Sequence, residues 1–267
     1  MTSTTSAERG LFGGAALLFA ASLAGTIAWG ASMSAPTSAM ADMPMPGGWQ
    51  MSMMWMRMPG QSWPGAAAVF LGMWAVMMVA MMLPSLLPML RRYRRALGAE
   101  GGARVGRLTA VVGAGYFAVW TALGLVAFPL GAALAALEMR QPALARAVPI
   151  AAGLVVFAAG LLQLTAWKAR QLACCRDMPG RGRALAADGG AAWRHGLRLG
   201  LRCAFCCAGP MAVLLVVGVM DLRAMAAVTA AITVERLAPA GARIARATGA
   251  VGVAAGLCLL ARAAGLG

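Results

Sequence analysis

The sequence predicts an all-α fold, a polytopic membrane helix bundle of about seven transmembrane helices, or six by a stricter count. Three observations carry that prediction. The chain is 61% hydrophobic and 12% charged, against roughly 45–50% and 25% for soluble domains. Its apolar residues gather into runs near the ~20 residues that a helix needs to cross a bilayer. Its Lys and Arg residues fall between those runs. A net charge of +15 would otherwise suggest nucleic acid, but its placement in the connections assigns it to topology and excludes that partner.

Residues 1–31 hold the first span, over 11–31. It is expected to remain uncleaved, because its apolar stretch outruns a signal-peptide core and the Ala39-Met40-Ala41 cleavage candidate lies well beyond it. Residues 32–63 are rich in Pro, Gly and Met and too irregular to cross, and they read as an extracytoplasmic loop. Residues 64–267 form the bundle proper. A second span over 65–90 stops at Arg91-Arg92-Tyr93-Arg94-Arg95. Spans over 108–137 and 148–167 follow, then a basic connection and a cysteine-bearing span over 199–220. Residues 224–237 are short for a crossing, and 247–264 make the last span.

The basic residues orient the chain. Arg9 and the segments 91–107, 168–202 and 236–246 hold 18 of the 23 Lys and Arg, and the opposite side holds five. That asymmetry places the N-terminus in the cytoplasm. If 224–237 dips in and returns, there are six spans and the C-terminus moves inside as well.

Sulfur is concentrated in two stretches. Cys203, Cys206 and Cys207 fall within five residues, and on a helix Cys203, Cys207 and Met211 share one face. Thiols and a thioether on one wall suit Cu(I) best, with Zn(II) as second choice, rather than Mg or Ca. The plain alternative is packing, since free Cys behaves as a small hydrophobe. Cys174 and Cys175 are expected at a similar level, just past the fourth span, and Cys258 is expected to pack. In the second span Met73, Met77 and Met81 form one row, and Trp74, Met78 and Met82 another. Met82 lies nine residues from Arg91, about 13 Å along a helix, which is comparable to the depth of Cys207. Adaptable Met packing is the rival reading. Pro84 and Pro210 are expected to free backbone carbonyls in their helices.

The loop carries Met33, Met40, Met43, Met45, Met51, Met53, Met54, Met56 and Met58 without a histidine, a methionine-rich pattern open to two readings. It could collect Cu(I), which accepts thioethers, or rest on the bilayer with Trp49, Trp55 and Trp63 at the interface. Lys168 and Glu235-Arg236 stand at span ends, where snorkelling or a local ion pair is the commoner role. His195, the one histidine, is not expected to be a ligand. No hydrolytic residue set or phosphate-binding glycine motif is present, so neither an enzyme nor an ATP-driven pump is expected.

The Trp74-x2-Met77-x2-Ala80-Met81-Met82-Leu83-Pro84-Ser85 element, the Cys-x-x-Cys-Cys of 203–207 with Met211, the Gly218-x-Met220 pair and Glu235-Arg236 together resemble the DUF2182 family. The resemblance covers about 70–240 and implies a metal-binding integral protein of the bacterial inner membrane. This chain departs from the family at Gln171, where a cysteine is usual, and at Ala208, where a tryptophan is usual; Cys175 matches the family's second cysteine in that segment. The function expected is soft-metal binding for transport or delivery. The set expected to hold the metal is Cys203, Cys206, Cys207, Met211, Met77, Met78, Met81, Met82, Cys174 and Cys175. Its partners would be the lipid bilayer, the ion and a cuproprotein or other membrane protein. A scaffold without metal and a thiol-redox protein using Cys203 and Cys206 are the alternatives; the redox reading lacks an outer partner cysteine.

Overall fold

The computed structural model describes residues 2–33, 43–58, 60–98, 102–176, 188–219 and 221–265. The Ala39-Met40-Ala41 cleavage candidate and Met220 lie outside them. Eight helices form among these residues: α1 (Thr2–Met33), α2 (Trp63–Leu97), α3 (Gly102–Arg140), α4 (Pro142–Leu164), α5 (Ala166–Arg176), α6 (Gly189–Val217), α7 (Leu222–Leu237) and α8 (Gly241–Ala263). The all-α prediction holds. Two three-residue strands, β1 (Met43–Met45) and β2 (Trp49–Met51), pair antiparallel as a small hairpin between α1 and α2.

Six of the helices are long and apolar enough to cross a membrane, namely α2, α3, α4, α6, α8 and Glu8–Ala31 within α1. The helix over the doubtful sixth segment, α7, has 16 residues, or about 24 Å at 1.5 Å per residue. That falls short of a hydrocarbon core about 30 Å thick. Even so, α7 runs end to end beside its neighbours. Its Leu222 lies against Gly30 near the C-terminus of α1, and its Arg236 reaches Cys203 in α6.

Specific contacts fix the order of the helices. Glu8 pairs with Arg91 and Arg95, so α1 begins where α2 ends. Phe70 stacks on Trp74 and meets Phe128, and the Trp74 indole donates to the Trp120 carbonyl at 2.8 Å, so α2 and α3 are antiparallel. Gly153 faces Leu260 and Gly160 faces Val253, which makes α4 and α8 antiparallel. In contrast, α3 and α6 run parallel, with Val112 at Gly196 and Tyr116 at Gly200. One end of the bundle therefore gathers Glu8, Arg91, Arg95, Arg176 and Pro239, and is called the basic end below. The hairpin sits at the other end, where Trp49 donates its indole N–H to the Ala145 carbonyl at 2.8 Å.

Local signals account for the ends. Ser62 caps α2 through Gly65 N–H, and Pro64 occupies its first turn. Asp188 caps α6 through Ala191 N–H, and Asp221 caps α7 through Arg223 and Ala224 N–H. Outward faces carry Leu125, Leu130, Leu134, Leu154 and Val251, all exposed, as helices surrounded by lipid require. The hydroxyls of Thr26, Thr109 and Thr121 bond back to the carbonyl four residues earlier, so they leave no donor open to an apolar surrounding.

Candidate metal centre

The core of the bundle is built where α2, α3, α6 and α7 meet. Glycines on α6 allow that meeting. A methyl at Gly196 would collide with the Val112 carbonyl, and one at Gly200 would lie 2.8 Å from the Tyr116 carbonyl oxygen. The α3 and α6 backbones therefore touch, and the first ring past the contact, Tyr116, delivers its hydroxyl to the face that carries Cys203.

Cys203 is the hub. It accepts a hydrogen bond from the Tyr116 hydroxyl at 3.0 Å and another from an Arg236 guanidinium N–H at 3.0 Å. Its sulfur lies 3.7 Å from Cys207 Sγ, one helical turn on, and 4.0 Å from Met82 Sδ of α2. All of these groups are buried. Arg236 also donates to Ser85 Oγ at 2.8 Å, and that hydroxyl donates to the Met82 carbonyl at 3.0 Å. The α2 Met-Leu-Pro-Ser run thus supplies a thioether and a hydroxyl to one cluster.

A second layer lies beside Cys206. Pro210 has no N–H, so the carbonyl of Cys206, four residues earlier, loses its helical donor. The Lys168 ammonium fills that vacancy at 2.7 Å. Lys168 also pairs with Glu235 at 2.8 Å, both side chains being 2% exposed. Glu235 accepts further bonds from Gln163 at 2.7 Å and Thr248 at 2.6 Å, which ties α4, α5, α7 and α8 to one carboxylate. A buried charge this well surrounded satisfies its lone pairs, as a dry interior demands. Snorkelling does not describe Lys168, Glu235 or Arg236: all three are buried. The chain breaks at Thr165, which ends α4 and whose hydroxyl accepts from the Lys168 N–H at the start of α5. The break redirects α5 against α6 and carries Lys168 inward.

The predicted ligands separate into groups. Cys203, Cys207 and Met82 come together. Cys206 is buried and its thiol interacts with those of Cys207 and Cys175. Cys175 donates to the Arg202 carbonyl at 3.1 Å, whereas its neighbour Cys174 is exposed. Met77, Met78, Met81 and Met211 are all buried in the same core. Met73 and Met77 line a narrow crevice against Gly25, Thr26 and Trp29 of α1, so that row looks toward α1. In the hairpin segment, Met51 and Met54 are buried, and Trp55 packs on Phe70 at 5.3 Å between ring centres. His195 stacks on Tyr93 at 5.2 Å. Among the described residues, no three His, Cys, Asp or Glu side chains converge as a ready-made metal site.

Tyr116, Ser85, Gln163 and Thr248 did not stand out as site residues in the sequence. A signal existed: Tyr116 is one of two tyrosines in the chain, and Gln163 is an amide inside an apolar run. Buried polar groups in such runs need partners.

The comparison with known families decides the broader class. The model of PpoB2, described as a copper chaperone, matches residues 71–259. The chain belongs to this family. No curated protein and no solved structure matches it. The PpoB2 match runs from Leu71 in α2 to Leu259 in α8, so it includes every residue of the Cys203 and Glu235 clusters. The N-terminal helix α1 and the hairpin lie outside it.

Proposed function

We propose that this chain is a non-catalytic, membrane-embedded carrier that holds Cu(I) in its interior and hands it to a protein partner, such as a cuproprotein under assembly. The observation that carries the reading is the buried trio of Cys203 Sγ, Cys207 Sγ at 3.7 Å and Met82 Sδ at 4.0 Å. With metal–sulfur bonds near 2.3 Å, two sulfurs up to about 4.6 Å apart can share one ion. Thiolate and thioether donors favour Cu(I), and Zn(II) is the second choice. Membership of a copper chaperone family supports delivery over bulk transport, and the DUF2182 resemblance agrees with a bound metal.

In this reading the methionines of residues 43–58 gather the ion, the α2 rows pass it inward, and Cys203 and Cys207 hold it. Cys206, Cys175 and exposed Cys174 continue the sulfur path toward the basic end. The excess of Lys and Arg at that end supports a cytoplasmic N-terminus in a bacterial inner membrane. Elemental analysis of the detergent-purified chain tests the proposal. One copper per chain is expected in the wild type, and none in a Cys203/Cys206/Cys207 triple Ala variant. Copper that is absent from both, or equal in both, would sink it.

A scaffold role is the second reading, favoured by the close glycine contacts of Gly196 and Gly200 and by the lack of a three-ligand group among the described residues. It predicts that function survives the loss of the cysteines and fails in Gly200→Leu.

A further inference from the structure

Exposure singles out one cysteine. Cys175, Cys203, Cys206 and Cys207 are buried, Cys258 is exposed near the far end of α8, and Cys174 is exposed at the basic end. The buried thiols run as a string. Cys203 and Cys207 lie 3.7 Å apart, the Cys206 thiol stands against Cys207, and the Cys175 thiol stands against Cys206. Two bonds hold α5 against α6 for that contact. Lys168 donates to the Cys206 carbonyl at 2.7 Å, and the Cys175 thiol donates to the Arg202 carbonyl at 3.1 Å. Cys174 is the neighbour of Cys175, about 100° around the same helix, so the string ends at the surface. That surface is cationic. Arg170 is exposed one turn before Cys174, on the same face. Arg92 reaches the Arg176 carbonyl at 3.0 Å, and the Arg176 guanidinium lies on the α7–α8 turn at Pro239 and Gly241, two residues before exposed Arg243. The segments at this end hold 18 of the 23 Lys and Arg against five of the eight Asp and Glu. Three of those acids are committed, Glu8 to Arg91 and Arg95, Glu235 to Lys168, and Asp188 to the α6 cap. Topology accounts for the sign of this charge, but not for a route of thiols that surfaces within it.

Resting on the copper reading above, we infer that the basic end is the docking face for a soluble acidic protein bearing a pair of cysteine thiolates, and that Cys174 is the thiol through which Cu(I) passes to it. Anionic lipid would neutralise the arginines, but a phosphate headgroup offers hard oxygen donors that do not draw Cu(I) from sulfur. A protein with acidic residues around its thiolates meets both needs. The acids match the arginines and steer the encounter, and the thiolates compete with Cys174 for the ion. Buried Cys175 and Cys206 are closed to that partner, so the exposed thiol makes the exchange. The step is a ligand exchange without redox change: one Cu–S bond to the acceptor forms as one to Cys174 breaks. Any proton on the incoming thiol passes to the released thiolate, and copper stays Cu(I).

Transfer of Cu(I) from the loaded full chain in detergent to two synthetic peptides reads the effect. Both peptides carry Cys-x-x-Cys, one in a glutamate-rich and the other in a lysine-rich sequence. At low salt the acidic peptide should take copper about tenfold faster or more, and added salt should narrow the gap. Arg170→Glu combined with Arg243→Glu should keep one copper per chain and remove most of that advantage. Cys174→Ser should slow transfer to the acidic peptide, per copper-loaded chain, to the rate of the lysine-rich one or below. Equal rates for the two peptides in the wild type would leave the arginines to lipid and topology and overturn the inference. A Cys174→Ser rate equal to the wild type would overturn it as well. Either result leaves the copper reading standing, whereas a wild type that binds no Cu(I) overturns that reading and the docking face with it.

Discussion

Two helix seams in this bundle use the same device for different ends. Between α4 and α8, Gly153, Gly160, Gly249 and Gly256 let the backbones touch; a methyl at Gly160 would lie 2.5 Å from Val253 N, and one at Gly256 would lie 2.5 Å from Phe157 N. Apart from Gln163 beside Gly249, the side chains that meet those glycines are apolar, among them Leu260, Leu164 and Phe157. Between α3 and α6, Gly115, Gly196 and Gly200 bring the backbones equally close, but Tyr116 stands at that contact and Cys203 one turn beyond Gly200, bonded at 3.0 Å. Close packing without a hydrophobic driving force is how membrane helices associate. In one seam it makes a wall, and in the other it aims a phenol at a thiol. The two seams are joined where Gly209 of α6 meets Ala159 of α4, and by a polar link in which Glu235 gathers Gln163, Thr248 and Lys168, and Lys168 bonds the Cys206 carbonyl.

Three substitutions sharpen that contrast, in falling order of effect. Lys168→Met removes the polar link. It strands a buried Glu235 and an open carbonyl, and should cost about 3–5 kcal/mol, the range for breaking a buried pair from one side. Thermal unfolding in detergent should show the loss, and Glu235→Gln added to Lys168→Met should recover part of it. No destabilisation by Lys168→Met would mean that the pair is wet or replaceable. Gly256→Leu overfills the α4–α8 wall and should cost about 1–3 kcal/mol or more. The fraction that still folds should bind the same amount of copper as the wild type. A copper loss larger than the loss of folded protein would show that the wall is part of the site. Tyr116→Phe removes one hydrogen bond from Cys203 and should change stability by only about 1 kcal/mol. In a Cu(I) titration it should nevertheless weaken affinity a few-fold, whereas Gly256→Leu should not.

Much of this architecture was legible in the sequence because a membrane simplifies the rules. Long apolar runs must be helices, and clusters such as Arg91-Arg92-Tyr93-Arg94-Arg95 mark their ends. Counting residues from Arg91 put Met82 near the depth of the cysteines, and Met82 is the thioether beside Cys203. Helix rotation was less legible. Cys174 and Cys175 are adjacent in sequence, yet only Cys175 turns inward. The buried charges were the hardest to read. Lys168 and Glu235 stand at the ends of apolar runs, where a long side chain normally reaches for water. The Thr165 break and the carbonyl freed by Pro210 draw Lys168 inside instead, and the bond that results joins residues distant in the chain. Arg236 was obscured in the same way: its partners, Ser85 and Cys203, lie on two other helices.

The central claim is that the functional seam is the one with sulfur. Copper content per folded chain, measured on detergent-purified protein, tests it most directly. One copper is expected in the wild type, one in folded Gly256→Leu, and none in the Cys203/Cys206/Cys207 triple Ala variant. Copper retained by the triple variant, or absent from the wild type, would contradict it.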